Sequence, residues 1–295
     1  MGAALIADGC DLELLEVARQ EGMALDRLLV AGTAEELRPT EVAQPALYYV
    51  GVALARIVLS RGVAPRFGAG HSLGEYTALA VAGAIDPADG MRLVIARGRL
   101  MAAAPDGTMA AVLGLERQPM EEICRQVESA GEICVIANDN CPGQLVISGS
   151  RPGIEAAAEA ARQAGARRVV PLSVGGAFHS PLMADAAAAF AAVLAQVKIR
   201  DPRWPVASGC SGQLSTTAQE VRDGLTRQLA SPVLWTTTVL ALTQAGATDF
   251  LECGPGNTLG ALVRRIAPSS RVASASSPDG VDAALAALGA DIGVR

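Results

Sequence analysis

The sequence predicts an α/β protein built around a sharp turn that carries a serine. Residues 63–69 form an apolar, strand-like run, and residues 70–74 read Gly-His-Ser-Leu-Gly, a Gly-x-Ser-x-Gly pattern. An alanine-rich helical run follows from Glu75 to about Ala82. Small residues let the backbone reverse with Ser72 exposed at the apex, and the helix N-terminus points its N–H groups at whatever reacts there. The pattern alone is weak evidence, but this setting indicates a nucleophile elbow.

The composition indicates the size of the protein, the type of its core and the partners that it lacks. A chain of 295 residues predicts about two domains, or one large domain with an insertion. Apolar residues make up 51% and aromatics only 3%, so the core should be mostly aliphatic. The net charge of −6 is spread along the chain, and no uninterrupted apolar run approaches the length of a membrane span. We therefore expect no nucleic-acid partner and no membrane association.

The cysteines and histidines indicate the cellular compartment and whether a metal site is expected. None of the six cysteines forms a C-x-x-C pair, and the N-terminus has no signal-peptide pattern. We expect reduced thiols and a cytoplasmic protein. With only two histidines, a multi-histidine metal site is not expected, and neither a metal nor a bound cofactor is predicted.

Helices precede the elbow. Asp11 is a candidate N-cap for a helix that Gly22 stops, and residues 33–36 have the form of a capping box. A long helix follows over about residues 41–60. Residues 3–7 are compatible with either a strand or a helix, so no clear first strand is predicted.

The helix after the elbow carries an arginine in an unusual place. Asp86 is a candidate N-cap with proline at the first helical position, and the helix should run to about Ala103. Arg97 lies in the middle of its apolar stripe, which consists otherwise of Leu93, Val94, Leu100 and Met101. A buried guanidinium must find an anion, because an unpaired buried charge is very costly. An internal salt bridge or a side chain that reaches solvent would fit the pattern equally well.

In the middle of the chain the order of predicted strands and helices changes, and this order predicts a separate subdomain. Its elements follow the order βαββαβ, which is the ferredoxin-like unit: strands at 109–115, 133–137, 144–148 and 167–174, and helices at 120–130 and 153–164. We predict an insertion over residues 107–176 between two segments of the elbow domain, 1–106 and 177–295. Asn138 and Asn140 are assigned to the turn between the second and third strands, and the alternative is that they line the cleft between the two domains.

The second histidine is the candidate base. His179 directly precedes Ser180-Pro181, an N-cap and first-position pair that opens a long helix. The positive end of that helix would favour the neutral imidazole that a general base needs, although a surface-loop histidine would also fit. His71 is expected to shape the elbow. No acidic residue stands in a context that indicates a triad.

Strands at 250–253 and 271–275 and helices from 258 and 281 complete the chain.

Residues 70–76, Gly-His-Ser-Leu-Gly-Glu-Tyr, resemble the active-site motif of the malonyl-CoA:acyl carrier protein transacylases. Further matching stretches occur in family order over about residues 2–290, namely Gln-Pro-Ala-Leu at 44–47, Arg-Gly at 97–98, Pro-Gly-Gln at 142–144, Gly-Ala-Phe-His-Ser at 176–180, Arg-Gln-Leu at 227–229 and Gly-Pro-Gly at 254–256. The resemblance implies a parallel-sheet, hydrolase-like elbow domain interrupted by the ferredoxin-like insertion.

The resemblance also implies an activity. The family moves malonyl from coenzyme A to the phosphopantetheine thiol of an acyl carrier protein through an acyl-serine, in fatty acid or polyketide synthesis. Carried over, Ser72 is the nucleophile and His179 the base, oriented by the backbone carbonyl of Gln228, with the Leu73 N–H as an oxyanion donor and Arg97 on the malonyl carboxylate. The partners implied are malonyl-CoA and an acyl carrier protein, and we expect a monomer.

Phe178 is the candidate for acyl choice. The segment Ala-Phe-His at 177–179 resembles the malonyl-selective form in related polyketide acyltransferases, where an aromatic residue leaves little room for a branch at C2.

The chain departs from the family at its start. Family members open with an apolar strand that runs into Gly-Gln-Gly-Ser-Gln, whose glutamine supplies the second oxyanion donor, and this numbering contains neither. Met1-Gly2 stands in the register of the following Gly-Met-Gly-like entry, so we expect Met1 to be an internal methionine. Two rival functions stay open: a serine acyl hydrolase or thioesterase of the same fold, and a non-catalytic partner protein that retains it.

Overall fold

The computed structural model describes residues 2–289, and helices alternate with strands along them, so the predicted α/β class is confirmed. The α-helices are α1 (Ala3–Ala7), α2 (Leu12–Gln20), α3 (Leu25–Ala31), α4 (Ala34–Leu37), α5 (Thr40–Ser60), α6 (Gly74–Val81), α7 (Pro87–Ala102), α8 (Arg117–Ser129), α9 (Arg151–Gln163), α10 (Ala184–Ala195), α11 (Ala218–Gln228), α12 (Trp235–Gln244), α13 (Thr258–Ile266) and α14 (Gly280–Ala287). The strands are β1 (Gly68–Ala69), β2 (Thr108–Leu113), β3 (Cys134–Cys141), β4 (Gln144–Gly149), β5 (Arg168–Pro171), β6 (Val206–Ala207), β7 (Leu214–Ser215), β8 (Val233–Leu234), β9 (Asp249–Cys253) and β10 (Arg271–Ala275).

The strands of the described residues form three sheets. β1 pairs in parallel with β6, which pairs antiparallel with β7, and β9 pairs in parallel with β10. The third sheet has the order β5-β2-β4-β3-β8, and its first four strands run antiparallel to their neighbours. β8 joins this sheet in parallel with β3, although it lies about ninety residues further along the chain. The sequence pattern did not predict that contact.

Helix α5 is the centre of the larger core. It packs against α6, α7 and β9, and Tyr48, Tyr49 and Leu54 on it are fully buried. Among the described helices α5 alone has the length and hydropathy of a membrane span, and 61% of that stretch is buried inside the protein. A separate apolar cluster lies between the third sheet and helices α8 and α9.

Of the two helix caps predicted before the elbow, one is confirmed and the other is wrong. The capping box at Thr33 is confirmed, because Thr33 Oγ1 accepts from Glu36 N–H and the Glu36 carboxylate accepts from Thr33 N–H. Residues 3–7 are helical. The side-chain cap at Asp11 is wrong: the residue has a left-handed φ of 49°, and its carboxylate pairs with Arg56 instead. Helix α3 was not predicted.

The elbow strand is shorter than predicted. Only Gly68 and Ala69 form ladder hydrogen bonds, whereas the apolar pattern predicted a strand over residues 63–69. The residues before Gly68 form no strand, and they are half-buried (Val63, Pro65, Phe67) or exposed (Ala64, Arg66), so the apolar pattern there did not indicate a core strand. The cap at Asp86 is confirmed, since its carboxylate accepts from the Ala88 N–H at 2.9 Å.

Candidate active site

Ser72 stands at a strained turn between β1 and α6. Its φ of 50° is in the left-handed region, which a serine adopts only when the surrounding structure imposes it. Gly70 makes this turn possible, because a Cβ at residue 70 would lie 1.9 Å from the carbonyl carbon of Gly74. A Cβ at Gly74 would meet nothing within 4 Å. The sharp reversal therefore depends on the first glycine of the pattern.

His179 lies directly against the serine. Ser72 Oγ is 2.8 Å from His179 Nε2, and His179 Nδ1 is 3.1 Å from the carbonyl oxygen of Gln228 and 3.0 Å from that of Ser231. Carbonyl oxygens only accept hydrogen bonds, so Nδ1 must carry the proton. Nε2 is then left with a free lone pair aimed at the Ser72 hydroxyl, which donates to it.

Burial keeps this imidazole neutral. His179 is only 4% exposed, and burial first and the Arg97 charge second lower its pKa to about 3. The helix dipole expected to favour the neutral form is not among the main causes. The helix that begins after Ser180 starts with a short 3-10 turn at Pro181–Met183, capped by the Ser180 hydroxyl on Leu182 N–H. Desolvation and a neighbouring cation are the main causes.

Arg97 points into the same site. It is 1% exposed, so it does not reach solvent. Its Nη2 donates to Ser72 Oγ at 3.0 Å and to Gln228 Oε1 at 3.1 Å, and its Nη1 donates to Gln44 Oε1 at 2.6 Å. The guanidinium also lies over the Tyr76 ring at 5.5 Å from its centroid. All three acceptors are neutral, the Nε–H has no partner, and burial lowers the pKa of Arg97.

A buried carboxyl group supports the arginine from a distance. The Gln228 amide donates to Glu75 Oε2 at 2.7 Å and to the Ser72 carbonyl at 3.1 Å, while its oxygen accepts from Arg97. Glu75 Oε2 also accepts from the Gly209 N–H at 3.2 Å, and burial raises the pKa of Glu75 to about 7. Gln228 thus bridges Glu75 and Arg97 through its neutral amide group.

The remaining predicted residues lie around this centre. Leu73 is the residue before α6, and its N–H makes no hydrogen bond within residues 2–289. Phe178 is 9% exposed and packs in the main core, and a Cβ at Gly176 would lie 3.0 Å from its ring. Among the same residues no three histidine, cysteine, aspartate or glutamate side chains converge as metal ligands would.

The assignment of Asn138 and Asn140 to a turn is wrong, because both residues lie within β3. Strand β3 continues to Cys141, and the Asn140 Oδ1 atom is 2.8 Å from His71 Nε2. The rings of His71 and Trp235 make an edge-to-face contact with centroids 5.8 Å apart, and burial lowers the pKa of His71. Asn140 therefore links the middle segment of the chain to the residue next to Ser72.

Three contributors to the site were missed. Gln44, Glu75 and the Ser231 carbonyl all touch the catalytic groups or their partners, as described above. Two of them had a signal, since Gln44 and Glu75 are polar residues within runs of apolar ones. A backbone carbonyl has no sequence signal, so Ser231 could not have been found.

An elbow serine, a neutral histidine and carbonyl groups in place of a triad acid define a class of α/β proteins that form acyl-serines. Comparison with known proteins identifies the family more closely. The chain belongs to the acyl transferase domain family, whose model matches residues 6–284.

Individual relatives are similar over most of their length. The malonyl CoA-acyl carrier protein transacylase of Bacillus subtilis (strain 168) is 39% identical over 267 residues, which is 90% of this chain and 84% of the relative. The solved structure of the Coxiella burnetii malonyl CoA-acyl carrier protein transacylase is 32% identical, with a TM-score of 0.90 over 98% of this chain and 93% of that one. A malonyl-transacylase solved in complex with a type II polyketide synthase acyl carrier protein is 37% identical, with a TM-score of 0.88 over 94% and 90%.

Proposed function

We propose that this protein is an S-malonyltransferase that moves malonyl from coenzyme A to the phosphopantetheine thiol of an acyl carrier protein. The observation that carries the proposal is Arg97, a buried guanidinium with only neutral acceptors, 3.0 Å from Ser72 Oγ. An acyl group on Ser72 that ends in a carboxylate would supply the missing anion. The relatives named above support the same substrate and partner.

The first half-reaction forms an acyl-serine. His179 Nε2 takes the proton from Ser72 Oγ, which attacks the thioester carbonyl, and the Nδ1–H stays on the carbonyls of Gln228 and Ser231. The Leu73 N–H is the donor for the oxyanion. Collapse of the tetrahedral intermediate expels the coenzyme A thiolate, which takes the proton from His179.

The second half-reaction runs the same chemistry in reverse. The phosphopantetheine thiol gives its proton to His179 and attacks the ester of Ser72. Collapse returns the serine hydroxyl and leaves malonyl on the carrier protein. The first half-reaction exchanges a thiol for the serine hydroxyl at the acyl carbon and the second reverses this exchange, so no oxidation state changes.

Arg97 gives the site its acyl preference. In malonyl-serine the free carboxylate lies one methylene beyond the ester carbon, close to the guanidinium that contacts Ser72 Oγ. A planar guanidinium holds a carboxylate by two parallel hydrogen bonds. Phe178, next to the base, limits the room for a branch at C2, which favours malonyl over methylmalonyl by about 1–3 kcal/mol.

We further propose the domain arrangement that the sequence indicated. Residues 107–176 form a ferredoxin-like subdomain inserted between segments 1–106 and 177–295 of the elbow domain. The supporting observations are the βαββαβ order of β2, α8, β3, β4, α9 and β5, the antiparallel order β5-β2-β4-β3, and the separate apolar core beneath that sheet. We also propose a cytoplasmic monomer, in keeping with six free thiols.

The proposed transfer is tested by measuring which protein carries the malonyl group. Incubation with malonyl-CoA should add one malonyl group to the protein mass, on Ser72, and addition of the carrier protein in its phosphopantetheine form should remove it and malonylate the carrier. Ser72→Ala should stay unlabelled, and labelling that survives this change would contradict the assignment of the nucleophile. Release of free malonate in place of transfer would indicate the rival hydrolase, and a wild-type protein that never acylates would indicate the non-catalytic partner.

A further inference from the structure

Two cysteine thiols meet in the small core, away from the serine. Cys124 lies on α8 and Cys134 begins β3, and their Sγ atoms are 3.6 Å apart. All six cysteines of the chain are free thiols, and within the described residues only these two contact each other. Neither has a part in the acyl transfer proposed above, so the pair needs its own explanation.

The distance is short enough for a bond between them. A disulfide joins sulfur atoms at about 2.05 Å, so the two atoms need to approach by only about 1.5 Å. α8 packs on β3, and Cys134 pairs with Gly149 of β4, so the fold sets the two backbones and the approach of the sulfurs would come from rotation of the side chains. The fold therefore holds the two thiols in a pre-assembled arrangement.

A small oxidant can reach the pair. Cys124 and Cys134 both line a surface hollow of about 350 Å³, together with Arg117, Glu121 and Glu128. Cys124 is 8% exposed and Cys134 is 4% exposed. Of the two, Cys124 is the more exposed, and its hydrogen bond with Cys134 lowers the pKa of the Cys124 thiol, so Cys124 is the better nucleophile.

We propose that Cys124 and Cys134 form an oxidation site that a peroxide converts to an intramolecular disulfide. The Cys124 thiolate attacks one peroxide oxygen, the O–O bond breaks, and the departing hydroxide takes a proton and leaves as water. The sulfenic acid on Cys124 is then attacked by the Cys134 sulfur, the S–O bond breaks, and a second water leaves. Two thiols are oxidised to one disulfide, and hydrogen peroxide is reduced to two waters.

The site can be tested on the intact wild-type protein without reference to acyl transfer. After dilute hydrogen peroxide and alkylation of the remaining thiols, trypsin should release two peptides joined by a disulfide, since Arg125 separates the two cysteines. The second peptide also contains Cys141, so its fragmentation must place the bond on Cys134. Dithiothreitol should restore both thiols. If Cys210 or Cys10 is oxidised first, or if the bond is on Cys141, the proposal is overturned.

Variants separate the two steps. In Cys134→Ser the sulfenic acid on Cys124 has no thiol to react with, so dimedone should label Cys124 several-fold more than in the wild type. Cys210→Ser is the matched control, because this half-buried thiol lies beside Ser208 and should leave the 124–134 bond unchanged. Equal dimedone labelling in wild type and Cys134→Ser would show that Cys134 does not resolve the intermediate, and the proposal would fail. If a variant folds poorly, the peptide map of the wild-type protein still tests the proposal, because it needs no variant.

Discussion

At the scale of single residues, the site is built from buried groups whose charge states are set by desolvation. His179 is neutral because it is buried beside Arg97, and Glu75 holds its proton more tightly because it is buried too. Arg97 stays in this apolar setting through amide and hydroxyl acceptors. An incoming carboxylate would therefore meet a cation that has no competing internal anion within hydrogen-bond reach.

Arg97 should control the choice between malonyl and acetyl groups. Charge-assisted hydrogen bonds to a carboxylate contribute about 1.5–3 kcal/mol, or roughly 10- to 100-fold in kcat/KM. Arg97→Ala should therefore depress malonyl transfer by that factor and leave acetyl transfer equal or faster. Arg97→Lys should fall between, because it keeps the charge but loses the planar fork. The measurement is kcat/KM for malonyl-CoA and acetyl-CoA on each variant. A parallel fall for both substrates would mean that Arg97 acts through the fold or through its hydrogen bond to Ser72 Oγ and does not select the malonyl carboxylate.

The base should stay active in mild acid. With the pKa of His179 lowered to about 3, the imidazole is neutral throughout the range in which an exposed histidine becomes protonated. We expect kcat/KM for serine acylation to show no fall centred near pH 6.5. The profile is best measured in a Glu75→Gln background, because Glu75 itself has a pKa of about 7. A fall centred at 6.5 in that background would show that His179 is solvated in the working enzyme.

How far the sequence predicts the site is clearest at this scale. Ser72, Arg97 and His179 carry signals in their immediate neighbourhood, namely a glycine pattern, a charge in an apolar stripe and a capping pair, and the structure brings all three together. Asn140 and Ser231 act across long sequence separations, through a side chain on a different sheet and through a backbone carbonyl. Local spacing does not report such contacts.

At the scale of elements, the elbow shows that the two glycines of one motif have different physical roles. Residue 70 must be glycine because the backbone of Gly74 approaches it closely, whereas Gly74 is the first residue of α6 and a Cβ there would face empty space.

The mispredicted elements are also explained at this scale. Strand β1 is two residues long and β8 pairs with a distant strand, so neither length nor partner could be taken from apolar alternation alone. Helix α3 has only one turn of buried leucines, too short for a periodic signal.

The two glycines should therefore respond differently to alanine. Gly70→Ala places a methyl group 1.9 Å from the Gly74 carbonyl carbon and should destabilise the protein by about 3 kcal/mol or more. Gly74→Ala meets nothing within 4 Å and should change stability by less than about 1 kcal/mol, in the stabilising direction. Denaturant unfolding of both variants is the measurement. Equal losses would mean that the turn relaxes in a way that the observed geometry does not allow.

At the scale of the whole molecule, the active site and the stability of the fold share the same buried charges. Glu75 lies under the elbow and is bonded to Gln228 and to the backbone of Gly209, so its protonation affects the folded state as a whole. Its pKa rises from 4.5 in the unfolded chain to about 7 in the folded protein. The folded state therefore binds this proton more tightly, and the stability that results is complete below pH 4.5 and is lost as the pH rises through 7.

Comparison with Glu75→Gln should isolate this effect. Glutamine keeps an oxygen that can accept from Gln228 and Gly209 but does not titrate, so the wild type should lose about 3 kcal/mol of unfolding free energy relative to the variant between pH 4.5 and neutral pH. His179 acts in the opposite direction, because its folded pKa of about 3 lies below the unfolded value of 6.5 and stability falls as the pH drops below 6.5. That contribution is common to both proteins and cancels in the difference. Urea unfolding of the pair at pH 5, 6, 7 and 8 measures it, and parallel curves would show that Glu75 is already ionised in the folded state at acidic pH.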